Sequence, residues 1–276
     1  MGALVALFAT GCSWSDLPRF GWPRGITLQA HRMLHLWMAA CIAALAVGVI
    51  VWGLIFWTVT FHRKKSEEIP RQTKYHHGLE VIYTGIPLIA VIVLFYFTAV
   101  TQNYVNDDSK KPDITVTAVA FQWNWEFDYD GVSAQTPQQV ASTVGNSSTI
   151  PVLVLPTHKV VRIEEHSDDV IHSFWVPEML FKRDVIPGVN NSFQFTITRE
   201  GAFVGRCAEL CGTYHSMMNF ELRAVSPADY EKYVKTLAGL GNAPDRQAKA
   251  LASIGLPPRA VTTKPFPTDR TVRRPA

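Results

Sequence analysis

Charged side chains are missing from two long stretches of this chain. Leu34–Phe61 carries no formal charge, and neither does Val81–Val100. Each supplies the roughly 20 apolar residues needed to cross a hydrocarbon core. Two such runs in succession, with basic residues between them, argue against core helices of a soluble protein. The chain also lacks a concentrated basic surface. With a net charge of +3 over 276 residues, nothing in it suggests a nucleic-acid site. It has no haem-binding motif, so any haem chemistry belongs to another protein. Cysteine is scarce, with four residues in all: Cys12, Cys41, Cys207 and Cys211.

The loop between the apolar runs holds Arg63, Lys64, Lys65, Arg71 and Lys74, which by the positive-inside rule places it in the cytoplasm. Both termini then lie on the other side of a bacterial cell membrane. The expected organisation is a leader at 1–12, an extracytoplasmic segment at 13–33, spans at 34–61 and 79–101 around a cytoplasmic loop at 62–78, a folded domain at 102–238 and a basic, Pro-containing tail at 239–276. The first span is long enough to tilt or protrude. The start ends in Phe-Ala-Thr-Gly-Cys and resembles a bacterial lipoprotein signal, with Cys12 as the lipidated residue. No Lys or Arg stands near its beginning, so a plain extracytoplasmic leader is the alternative. Cys41, inside the first run, reads as a small buried hydrophobe.

Residues 113–225 read as β structure. Ile114–Thr117 and Phe193–Ile197 alternate apolar and polar, and Lys159–Glu165 is a further strand rich in β-branched residues. Short strands punctuated by Pro and Gly imply an all-β sandwich or barrel. Gly131–Thr149, full of Gln, Ser, Thr and Asn, reads as a surface insertion. The segment from Gly239 onward reads as a solvated tail. In Phe121–Tyr129 a strand would put Trp123, Trp125, Phe127 and Tyr129 on one face.

The residues most suited to chemistry stand between Arg206 and Phe220. Cys207, Cys211, His215 and Met218 fall within a dozen positions, and His172 lies upstream in Asp-Val-Ile-His-Ser-Phe-Trp-Val-Pro. Thiolate, imidazole and thioether form a soft ligand set that copper satisfies better than magnesium, calcium or manganese. The cysteine spacing alone also allows a disulfide or a Cys₂His₂ zinc site, and Met218 alone allows core filler. Zinc, however, has no use for a methionine three residues past a histidine ligand. A disulfide leaves that histidine unexplained.

Cys-x-Glu-x-Cys-Gly-x-x-His-x-x-Met, with the His172 segment, Lys182–Gly188, the aromatic run and the paired spans, resembles subunit II of the haem–copper cytochrome c oxidases over most of residues 34–238. The resemblance implies a two-helix transmembrane hairpin plus a cupredoxin-like barrel. It implies that His172, Cys207, Cys211, His215 and Met218 hold the two coppers of a CuA centre by side chain, and Glu209 by its backbone carbonyl. The Glu209 side chain would reach a magnesium ion shared with subunit I, a hard ion that carboxylate oxygen suits. Trp123 would be where electrons enter, and Glu80 the mouth of a proton channel. Electrons would come from a cytochrome c and pass to the haem of subunit I, where oxygen is reduced and protons are pumped.

From Asn103 to Leu237 there are seventeen Asp plus Glu against eleven Lys plus Arg, a domain charge of about −6. Such a surface can steer a basic redox partner, with Glu126, Asp128, Asp168 and Asp169 as docking candidates. Three other functions fit less well. A quinol oxidase subunit would lack the copper ligands, and a nitrous oxide reductase needs a propeller that this length cannot hold. A membrane-anchored copper-delivery or sensing protein has no need of Glu80 or the tryptophan run. Histidines 31, 35, 62, 76, 77, 158 and 166 have no partners at ligand spacing.

Overall fold

Thr27 begins the first helix. Its hydroxyl accepts from the Ala30 N–H at 2.9 Å, an N-cap, and α1 then runs Leu28–Phe61. The expected span began later, at residue 34, because hydropathy marks where a helix is apolar and not where its backbone is capped. In the computed structural model, residues 19–69, 71–130 and 141–265 are described. Cys12 lies outside them. The second helix, α2, is His77–Val105. Its start is closed reciprocally: the Leu79 N–H donates to His76 Nδ1 at 3.1 Å and the His76 N–H donates to Glu80 Oε1 at 2.9 Å.

Both helices are long and apolar enough to cross a membrane. The hydroxyls of Thr58, Thr60 and Thr98 donate to carbonyls four residues earlier, which satisfies them without water. In this helical unit Arg32 lies 4.5 Å over the Tyr104 ring and Trp22 stacks on Trp37.

The second unit comprises Pro23–His31 and the chain from Val105 onward. Its strands are β1 (Ile114–Phe121), β2 (Asn124–Tyr129), β3 (Ala141–Val144), β4 (Val152–Pro156), β5 (Val160–Ser167), β6 (His172–Val176), β7 (Phe181–Val185), β8 (Asn191–Thr196), β9 (Gly201–Cys207) and β10 (Asn219–Val225). They form two five-stranded sheets, ordered β3-β2-β1-β5-β8 and β4-β10-β9-β6-β7. Alternation drives the packing. Trp125, Phe127 and Tyr129 of β2 are fully buried, and Trp125, Phe127 and Phe174 all contact the ring of Phe220. This is the cupredoxin-like architecture that the resemblance implied.

Three expectations change. Trp123 does not share the strand face of its neighbours; it sits in the turn between β1 and β2. The supposed insertion contributes β3, paired with Glu126–Tyr129 of β2, and the turn after it requires Gly145. A Cβ there would lie 1.8 Å from Asn124 Oδ1 and 2.5 Å from Pro151 Cδ. Short polar residues hid this strand because its pairing with β2, and not its own hydropathy, places it at the sheet edge.

The supposed tail is also folded through residue 265. Helix α3 (Pro227–Gly239) is capped by Ser226 and buries Tyr230, Tyr233, Val234 and Leu237. Helix α4 (Arg246–Ser253) buries Gln247, Ala250 and Leu251. Gln247 accepts from the Val152 N–H and donates to the Ile150 carbonyl. Buried Glu221 then accepts from the N–H groups of Val261 and Thr262, and Arg223 donates to the Arg259 carbonyl. Average composition concealed a segment whose few apolar residues fall on one helical face.

Candidate metal centre

Three strands bring the ligand residues together. His172 opens β6 and Cys207 closes β9, and in the antiparallel β6–β9 ladder Phe174 lies opposite Cys207. The segment from Ala208 to Met218 is the loop from β9 to β10, and its neck is closed by the Cys207 N–H donating to the Met218 carbonyl at 3.0 Å. The Ala208 N–H donates to the Ser173 carbonyl, tying the loop to β6. A short 3₁₀ turn, His215–Met217, then presents His215 and returns the chain to Met218.

The sulfurs of Cys207 and Cys211 are 3.8 Å apart. His172 Nδ1 lies 3.9 Å from Cys207 Sγ, and His215 Nδ1 lies 3.6 Å from Cys211 Sγ. Met218 Sδ is 3.9 Å from Cys211 Sγ, and the Glu209 carbonyl is 3.3 Å from Cys207 Sγ. All six residues expected as ligands therefore converge on one sulfur pair. His172, Cys207, Cys211 and Met218 are buried, whereas Glu209 and His215 are half-buried at the rim.

Burial disfavours charge on both thiols. At Cys207 the hydrogen bond with His172 and the backbone of Glu209 and Ser173 outweigh burial, and the pKa falls. At Cys211 burial and the neighbouring Cys207 sulfur push it up. The pair thus gives up one proton readily and the second only against an incoming cation. Two thiolates, two imidazoles and a thioether, held in a buried cluster, fit copper and not a hard ion.

Around this shell the structure places groups that spacing did not reveal. Asp169 Oδ1 lies 2.8 Å from His172 Nε2, and its carboxylate also accepts from the N–H groups of Gln122 and Val170. Burial would raise the Asp169 pKa, but the bonds from His172, Gln122 and Val170 prevail and lower it. For His172 burial favours the neutral ring, yet Cys207 and Asp169 prevail and raise its pKa. Asp169 thus partners a candidate ligand while itself remaining exposed. Its position three residues before His172 was the only local signal.

Gln122 Nε2 and Trp123 Nε1 both donate to the Cys211 carbonyl, at 2.7 and 3.1 Å. Trp125, which reads as core, donates to the Met218 carbonyl at 3.4 Å and packs against the His172 ring.

The other candidates lie elsewhere. Asp128 is half-buried beside Glu126, Asp130 and Arg246. Burial first, then its acidic neighbours, push its pKa up to about 6. Asp168 is exposed and lies 3.2 Å from His166 Nε2. Glu126 is half-buried on β2. Glu80 caps α2 and also lies 3.6 Å from His77 Nδ1.

A family model described as cytochrome c oxidase subunit II, periplasmic domain, matches residues 114–225. The chain is 48% identical over 331 aligned residues to a probable cytochrome c oxidase subunit 2 of Nocardia farcinica, covering 98% of this chain and 87% of that protein. It is 45% identical to cytochrome c oxidase subunit 2 of Mycobacterium tuberculosis, covering 98% and 88%. Among solved structures, the periplasmic domain of subunit II of the Bradyrhizobium japonicum cytochrome oxidase is 30% identical, covering 47% of this chain and 96% of that one at a TM-score of 0.39. Identity at this level along nearly the whole length carries the assignment: this chain belongs to the cytochrome c oxidase subunit 2 family.

Proposed function

We propose that this chain is the electron-accepting CuA subunit of a respiratory cytochrome c oxidase, anchored by two spans with its β unit on the extracytoplasmic side. The observation that carries this reading is the sulfur pair at 3.8 Å flanked by two histidine Nδ1 atoms and one thioether. His172, Cys207, Cys211, His215 and Met218 would hold two coppers by side chain, and Glu209 by its carbonyl. The metal supplies reversible one-electron transfer there.

The chain's own residues make that transfer easy. Strands β6, β9 and β10 hold the donors rigidly, which keeps the geometry alike in both redox states. Burial excludes water, and Asp169 holds the His172 ring with Nδ1 facing the sulfurs. Trp123, half-buried and hydrogen-bonded to the Cys211 carbonyl, offers a short route from the surface to a ligand.

The electron donor is a cytochrome c, met by exposed Asp168 and by Glu126, and the acceptor is the haem of subunit I. The Glu209 side chain meets a magnesium ion at that subunit. Glu80 stands at the cytoplasmic mouth of a proton path, where His77 can exchange protons with it. Anchoring in lipid follows from the two apolar helices.

The test is metal loading of the full chain. Two coppers per chain and an electron-spin signal shared equally between them are expected, and Cys207→Ser or Cys211→Ser should abolish both. A single copper, or tight binding of one zinc with no coloured copper form, would overturn the proposal.

A further inference from the structure

Trp123 packs against the hydrophobic core and meets the metal loop through a hydrogen bond and a ring contact. Its indole N–H reaches the Cys211 carbonyl at 3.1 Å. Among the described residues, the ring in contact with it is Tyr214, with centroids 4.9 Å apart and planes at 86°. Tyr214 lies in the ligand loop itself, between Cys211 and His215. The indole approaches that loop closely because Gly212 has no side chain; a Cβ there would lie 3.2 Å from Trp123 Cζ2 and Nε1. Gly212 also has a φ of +119°, a conformation that favours glycine. The loop thus leaves room for the indole at one position and braces it with an aromatic edge two residues later.

We infer that Tyr214 is a positioning residue for electron transfer, holding Trp123 in the orientation that keeps its indole N–H on the Cys211 carbonyl. This rests on the reading of Trp123 as the point where electrons enter. The contact that positions the indole is made by the rings, with ring hydrogens of one against the π-face of the other. Such a pair shifts the equilibrium between braced and unbraced orientations by roughly 2- to 12-fold. With only the braced orientation coupled to Cys211, the rate falls by up to that factor.

The experiment uses the assembled oxidase and reduced cytochrome c, with transfer followed at rising donor concentration to separate the saturating rate from the dissociation constant. Tyr214→Phe keeps the ring contact and should retain more of the saturating rate than Tyr214→Leu. Tyr214→Leu should lower the saturating rate by up to about 12-fold, with the dissociation constant and the copper electron-spin spectrum unchanged. In a Trp123→Ala background, Tyr214→Leu should have no further effect. An unchanged rate in Tyr214→Leu, a loss confined to the dissociation constant, or an undiminished effect without Trp123 would overturn the inference. Should Tyr214→Leu lose its copper spectrum, Tyr214→Ile serves for the same comparison, and loss in both makes Tyr214 a structural residue and overturns the inference too. If instead Trp123→Ala transfers at the wild-type rate, the reading of Trp123 itself has failed.

Discussion

Asp169 holds His172 by Nε2 at 2.8 Å, and this contact decides which ring nitrogen faces the sulfurs. With the N–H of Nε2 directed at the carboxylate, Nδ1 keeps its lone pair free and lies 3.9 Å from Cys207 Sγ. The same carboxylate accepts from the Gln122 N–H at 2.7 Å. Asp169 therefore fixes a ligand and the turn that carries Trp123 together. Partners of this kind orient metal-binding histidines and raise their basicity.

Asp169→Ala is accordingly expected to weaken copper retention by about 10- to 100-fold, with Asp169→Asn milder because its amide oxygen can still accept. Competition with a chelator measures this directly. A variant that retains copper normally but associates more slowly with cytochrome c would assign Asp169 to docking and not to ligand support.

Trp123→Ala should slow electron transfer from cytochrome c far more than it weakens binding, since it removes the route and leaves the surface charges in place. Asp168→Asn should do the reverse, lowering the association rate and flattening its salt dependence. Stopped-flow mixing over a range of ionic strengths separates the two. An unchanged transfer rate in the Trp123 variant would assign that side chain to packing.

Glu165 gives a pH dependence with a definite sign. It is 4% exposed, and neither carboxylate oxygen nor the nearby Arg183 Nε has a hydrogen-bond partner among the described residues. Burial dominates and pushes its pKa up to about 9; Arg183 opposes the shift and Asp184 adds to it. Folding therefore takes up a proton at any pH between the ordinary value of 4.5 and about 9. The stability of the β unit should fall across that window, by at most about 1.4 kcal/mol per pH unit, and level off above it. Glu165→Gln should flatten the profile. Parallel thermal-unfolding profiles for the two proteins from pH 5 to about 10 would show that Glu165 does not titrate this way.

Glu80→Gln should lower turnover of the assembled oxidase with the copper spectrum intact, because the amide can still accept from the His76 N–H but cannot carry a proton. Glu80→Asp should be milder. Wild-type turnover in the Gln variant would leave Glu80 as a helix cap only.

The chemistry of the metal centre was legible in the chain because four of its side-chain donors share one short loop. Cys207, Cys211, His215 and Met218 are locally spaced, and local spacing survives in a sequence. The two spans were legible for a similar reason, since lack of charge over 20 or more residues needs no partner to be recognised. What depends on distant pairing was not. His172 meets Cys207 only through the register of β6 on β9, and the contact of exposed Asp169 with His172 depends on how the chain turns before β6. β3 and α4 were hidden because their polar residues meet distant backbone groups: Thr143 donates to the Val152 carbonyl, and Gln247 bonds to Val152 and Ile150. Sequence could therefore name the candidate ligands and the two apolar helices, whereas strand register and burial decided which carboxylate meets His172, which tryptophan reaches the loop, and how far the folded unit extends.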